Sequence, residues 1–171
     1  MHSKNTLGAI IAAIFIVAAA VAPRAAAAPP SDACPLLTPA EISAVVGVSV
    51  GAGAHMTPTY VKSCTWAPPG GATKDFTTLV LALEPASSFQ AAKAMLQAAA
   101  TQSGGSTKNP LTMTSATGIG DEAYYSSVAN YTKLIVKKGD VVFQVVIYGN
   151  SPIEKKRDME KALASKVISK L

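Results

Sequence analysis

This chain is poor in the side chains that do most enzymatic chemistry. It has two histidines, of which only His55 lies beyond residue 28, two cysteines, Cys34 and Cys64, and one tryptophan, Trp66. Any Ser-His-Asp or Cys-His relay must therefore be built on His55, in a glycine-rich, proline-flanked loop. No strand–serine–helix nucleophile elbow is predicted, and acidic residues are too dispersed to supply a paired-carboxylate site. The cysteines are too far apart for a C-x-x-C redox pair. A structural zinc site wants more nitrogen and sulphur ligands than the chain supplies, so no metal or cofactor is expected. Fixed-period repeats are absent. The longest apolar run, Leu7 to Ala22, falls short of the roughly 20 residues that a membrane-spanning helix needs.

What is there begins with an export pattern. Lys4 precedes the apolar run, Pro23 and Arg24 end it, and Ala25 to Ala28 supply small residues for cleavage. Residues 1–28 are predicted to be a signal peptide and residues 29–171 one α+β domain, periplasmic or secreted, with no stable membrane span after cleavage. No cysteine stands at the cleavage point, since Pro29-Pro30-Ser31-Asp32-Ala33 separates it from Cys34. The segment after residue 28 carries thirteen basic and ten acidic residues, a net charge of about +3. That density is too low for nucleic-acid binding. In an exported chain two cysteines most simply form one disulfide.

The periodicity then alternates. Thr38-Pro39-Ala40-Glu41 predicts a capped helix start, with Leu37 and Ile42 spaced as a staple and Gly47 as the stop. Strands are expected over 48–50, 60–66, 76–83, 122–126, 131–137 and 141–148, the last two joined by Lys138-Gly139-Asp140. Ser87 and Gln90 read as a second capping box, for a helix to about Gln102 whose buried stripe is Phe89, Ala92, Leu96 and Ala99. Residues 103–109 read as a connector. Ser151 and Glu154 read as a third capping box, for a helix to Leu171 with Met159, Leu163 and Val167 inward and Lys155, Lys156, Arg157, Lys161, Lys166 and Lys170 outward. Hairpin-spaced strands imply an antiparallel sheet of about five to six strands, covered by three amphipathic helices.

Three segments together carry a resemblance: Cys34-Pro35-Leu36-Leu37-Thr38, then Cys64-Thr65-Trp66, then Gly118-Ile119-Gly120-Asp121-Glu122-Ala123. The chain resembles a family of small exported domains of unknown function, best known among actinobacterial lipoproteins. The resemblance spans nearly all of residues 34–171 and implies an α+β, PsbP-like fold with the two cysteines bonded. The lipid-attachment cysteine of those lipoproteins is missing here. No activity comes with the family, so no catalytic residue is transferred.

Gly118-Ile119-Gly120 lacks the third glycine and following helix of a dinucleotide loop, and reads as a turn before a strand. The residues singled out for a binding surface are Trp66, Tyr124, Tyr125, Tyr131 and Tyr148, aromatic groups near strand ends. The expected function is an exported, non-catalytic binding module for an envelope protein, polymer or small ligand. An extracytoplasmic hydrolase-like enzyme and a structural envelope protein are the alternatives. A Cys34–Cys64 bond closes a loop of about 30 residues and contributes on the order of 3–4 kcal/mol. Reduction is therefore expected to lower the melting temperature by several degrees, read by circular dichroism. An unchanged melt after thiol titration shows full reduction would make the bond energetically minor.

Overall fold

A computed structural model describes residues 28–103 and 108–171. Residues 1–27 of the expected signal segment, and 104–107 of the expected connector, lie outside the described residues. The elements in chain order are α1 (Pro39–Val46), β1 (Ala54–His55), β2 (Ser63–Trp66), β3 (Thr78–Glu84), α2 (Phe89–Ser103), β4 (Thr112–Ser115), β5 (Glu122–Val128), β6 (Tyr131–Lys138), β7 (Val141–Tyr148) and α3 (Ile153–Ile168). The strands form one sheet in the order β1-β2-β3-β7-β6-β5-β4, every neighbouring pair antiparallel. The chain leaves the sheet after β3, crosses by α2 to the far edge, and returns as a β4–β7 meander that ends beside β3.

The α+β class, the three helices and the antiparallel sheet agree with the sequence, and the strand count is seven. The two edge strands were invisible to it. β1 is two residues within a glycine-rich stretch, and β4 is polar and mostly exposed, so neither shows apolar alternation. Residues 48–50 form no strand; Val50 instead donates its N–H to the Ser43 hydroxyl and buries its side chain. No helix among the described residues is long and apolar enough to cross a membrane.

Pleating sorts the strands into two faces. Leu79, Leu81, Leu83, Tyr125, Leu134, Val136, Phe143, Val145 and Ile147 form the main core with Met159, Leu163 and Val167 of α3. α1 packs against α3 and adds Ile42 and Val46. Its start is the expected capping box: the Glu41 N–H donates to Thr38 Oγ1 and the Thr38 N–H to Glu41 Oε2. Gly47 ends it at φ +76°, the left-handed region that favours glycine. The disulfide joins Cys34, in a short 3-10 turn, to Cys64 on β2, with Cα atoms 5.0 Å apart. On the opposite face Phe89 of α2 meets Tyr124, Ile135 and Val142 in a smaller cluster.

Two expected capping boxes do not form. The Ser88 hydroxyl donates to the Pro85 carbonyl, and Gln90 reaches across to Glu122. Ser151 is buried and donates to the Asp75 carbonyl, which ties the β7–α3 turn to the segment before β3. The outward face of α3 also needs correction. Lys156 is only 2 % exposed, because its ammonium donates to the Asn130 and Gly149 carbonyls and pins α3 to the end of β6 and β7. Arg157 is partly buried, over the Tyr125 ring and bonded to Ser127 Oγ at 3.0 Å.

One turn further along, Glu160 is fully buried, and its Oε1 accepts the Ile147 N–H at 3.3 Å. Burial pushes this carboxyl up from its ordinary 4.5 to about 8, against the opposing pull of the Ile147 N–H and Lys156. The folded state thus holds a proton that the unfolded chain releases. Stability attributable to this group is full below the unfolded value and declines, by at most about 1.4 kcal/mol per pH unit, until pH passes the folded value. Glu160→Gln is expected to raise the melting temperature at pH 8 and to leave it nearly unchanged at pH 4.5. Equal shifts at both pH values would show that the carboxylate ionises freely in the core.

Candidate functional site

The α2 face of the sheet is only partly covered. Of the expected stripe on α2 only Phe89 is buried; Ala92, Leu96 and Ala99 are half-exposed. The helix is held at its first turns, where Gln90 Nε2 donates to Glu122 at 3.0 Å and Lys93 pairs with the same carboxylate. Lys93, and after it Gln90, keeps the Glu122 carboxyl below its usual range. Alongside those turns a cleft of about 160 Å³ opens between α2 and the sheet.

Register decides what lines it. The pairs Tyr124↔Ile135 and Ile135↔Gln144 lie side by side on this face, with Val142 and Glu84 paired next to them. Tyr124, Ile135 and Val142 make the floor, and Phe89, Ala92 and Leu96 the roof. Glu84, Lys133 and Gln144 stand at the rim. Gln144 Nε2 donates to Glu84 Oε1 at 2.7 Å, whereas Lys133 has no ion-pair partner among the described residues. The Tyr124 ring stacks obliquely on Phe89 at 5.5 Å. Its hydroxyl is buried and without a hydrogen-bond partner. Burial, with the nearby Glu122 charge, raises the phenol above its usual value.

The five aromatic residues expected to share a surface divide between the two faces. Tyr131 and Tyr148 lie on the cleft side with ring centroids 5.9 Å apart, farther along towards the β5–β6 turn. Tyr125 faces α3 and donates its hydroxyl to the Arg157 carbonyl at 3.1 Å. Trp66 is buried beside the disulfide; a Cβ on Gly53 would come within 2.7 Å of both its ring and Cys64 Sγ. Phe89 was expected as part of the buried stripe of α2, but neither it nor Ile135, Val142 and the rim residues were expected in a binding site. The available signal was Lys133 and Gln144 interrupting two apolar strands, but only the β6–β7 register shows that both interruptions face the same side.

Other sequence features resolve into structure. Asp121 accepts from Lys138 at 2.8 Å and from the Gly139 N–H at 2.7 Å, clasping the β6–β7 turn. Gly120 sits at φ +60° where a Cβ would strike the Lys137 carbonyl at 2.6 Å, so this glycine serves close packing. Gly47-Val48-Ser49-Val50-Gly51 fits G-x-S-x-G formally, a match passed over in sequence. Ser49 follows a helix and precedes a loop, the wrong context for an elbow. His55 Nε2 lies 2.9 Å from Asp32 Oδ1, beside the disulfide.

The chain matches no protein-family model, no curated protein and no solved structure.

A buried hydroxyl without a partner costs roughly 1–3 kcal/mol. Tyr124→Phe keeps the ring on Phe89 and removes that cost, so it is expected to stabilise the unliganded protein by about 1 kcal/mol in urea unfolding. A loss of stability would show that the hydroxyl is bonded after all.

Proposed function

We propose that this protein is an exported, non-catalytic binding module that takes a small amphipathic molecule into the cleft beneath α2. The observation that carries the reading is the buried, unpartnered Tyr124 hydroxyl over an apolar floor. Stable folds seldom leave such a group unpaired, and a ligand oxygen supplies what it lacks. The apolar walls suit a ring or short chain. An engineered apolar cavity of about 150 Å³ holds benzene, so the occupant is a molecule, or part of one, of that size. The unpaired Lys133 at the rim favours an anionic head group.

Three further features support this reading over the alternatives. The only histidine–carboxylate pair among the described residues abuts a disulfide, which speaks against hydrolysis. The disulfide, the absence of a membrane-crossing helix among the described residues and the signal-peptide pattern are compatible with export. The likeness to exported actinobacterial domains of unknown function belongs to the same reading.

The test is calorimetric titration with hexanoate and 1-hexanol. Both are expected to bind at about millimolar affinity or tighter, hexanoate more strongly. Ile135→Trp, which fills the cleft, should abolish both heats, and Lys133→Ala should weaken only hexanoate. Absence of binding, or binding that survives Ile135→Trp in a folded protein, defeats the proposal.

A further inference from the structure

We propose that Asp32, Cys34, His55 and Cys64 form a second site, which binds one zinc-class divalent ion when the disulfide is reduced. The inference is independent of the cleft. It lies on the other face of the sheet, at the β1–β2 edge, and rests on where the fold places four side chains.

β1 pairs with β2 so that His55 stands directly opposite Cys64. The disulfide brings Cys34 to the same point. Asp32 folds back over two residues, accepts the Cys34 N–H at 2.8 Å, and meets His55 Nε2 at 2.9 Å. Ligand atoms of Asp32, Cys34 and His55 lie within 4.8 Å of one another, and Cys64 Sγ is bonded to Cys34 Sγ. In tetrahedral zinc sites the metal lies about 2.3 Å from sulphur and about 2.0–2.2 Å from nitrogen or oxygen. Ligand atoms there are consequently about 3.3–3.8 Å apart. The four groups reach that spacing by side-chain rotation once the sulphurs are free to separate.

The donor chemistry selects the ion. Two thiolates, one imidazole and one carboxylate suit zinc or cobalt(II), and disfavour magnesium and calcium, which take oxygen ligands. Asp32, Cys34 and His55 are partly exposed and give the ion a way in, while Cys64 is fully buried and closes the back. The Cys34 N–H bond orients Asp32, as an outer contact does in established metal sites.

The chemistry balances. A dithiol reductant gives two electrons and two protons to the Cys34–Cys64 bond and itself becomes a disulfide. The two thiols formed lose their protons as the metal binds. Disulfide and metal are therefore mutually exclusive occupants: oxidation expels the ion, and the ion shields the thiolates from reoxidation.

The experiment is titration of the phosphine-reduced protein with cobalt(II), followed by zinc. One cobalt per chain is expected, with a thiolate charge-transfer band and tetrahedral d–d bands, and zinc displaces it. His55→Ala and Asp32→Asn should each weaken binding by at least about tenfold. Cys34→Ser should lose the native spectrum. Zinc should raise the melting temperature of the reduced protein and leave that of the oxidised protein unchanged. Binding indifferent to both His55→Ala and Asp32→Asn would overturn the proposal, as would equal binding by the oxidised protein. A reduced chain that unfolds is informative too: refolding on zinc addition supports the site, and failure to refold overturns it.

Discussion

The pairing of β7 with β3 is the contact on which the rest of the molecule depends. It spans seven register pairs, from Thr78↔Tyr148 to Glu84↔Val142, and joins segments some sixty residues apart in sequence. Until it forms, β1–β3 is a small hairpin-like sheet with no partner, and β4–β7 a meander with a bare edge. Once it forms, Leu79, Leu81 and Leu83 lie beside Phe143, Val145 and Ile147, and the surface on which α3 buries Leu163 and Val167 is complete. Closing so long a loop is entropically costly, and apolar burial on both faces of two adjacent strands offsets that cost.

The two faces are finished differently. The α3 side carries the main core and is also where the fold places polar groups that would ordinarily be wet. Lys156 satisfies two carbonyls at the sheet end, and Arg157 covers Tyr125. These bonds set the axial position of α3, which apolar contacts alone leave free to slide. Glu160 is the expense of that arrangement, a carboxyl kept protonated by its surroundings. The α2 side is filled only near Phe89, and there the unsatisfied group is a phenol facing a cleft. The unpaired Glu160 oxygen is enclosed by the main core, and the unpaired Tyr124 hydroxyl is buried on a residue that lines the cleft.

The cleft and the cysteine cluster share a structural logic. Each is assembled by antiparallel register, which sets side chains from distant segments opposite one another. Ile135 stands between Tyr124 and Gln144, and His55 stands opposite Cys64. Each lies on a separate face and uses separate elements. The disulfide fastens the N-terminal turn to β2, and through β2 to the central strands, and neither cysteine lines the cleft.

Local pattern and tertiary contact divide the credit along clear lines. α+β class, three helices, the α1 capping box, the β6–β7 hairpin and the inward residues of α3 were legible because each rests on interactions within a few residues, or on a period of 2 or 3.6. β1 and β4 were not, since edge strands owe their form to a neighbour and carry little apolar pattern of their own. Ser151 and Lys156 were misread for a related reason: local spacing made one a cap and the other a solvated lysine, while Asp75, Asn130 and Gly149 supply partners that only the fold brings near. Tyr124, Tyr131 and Tyr148 were visible as aromatic residues near strand ends, but their face was not, nor that of Tyr125. His55 was a lone histidine in sequence and stands among Asp32, Cys34 and Cys64 in space. The sequence by itself determined the helices and the central strands, through near-neighbour chemistry. Tertiary structure alone decided the sites, because strand register, which sequence spacing does not encode, chooses the side chains that meet.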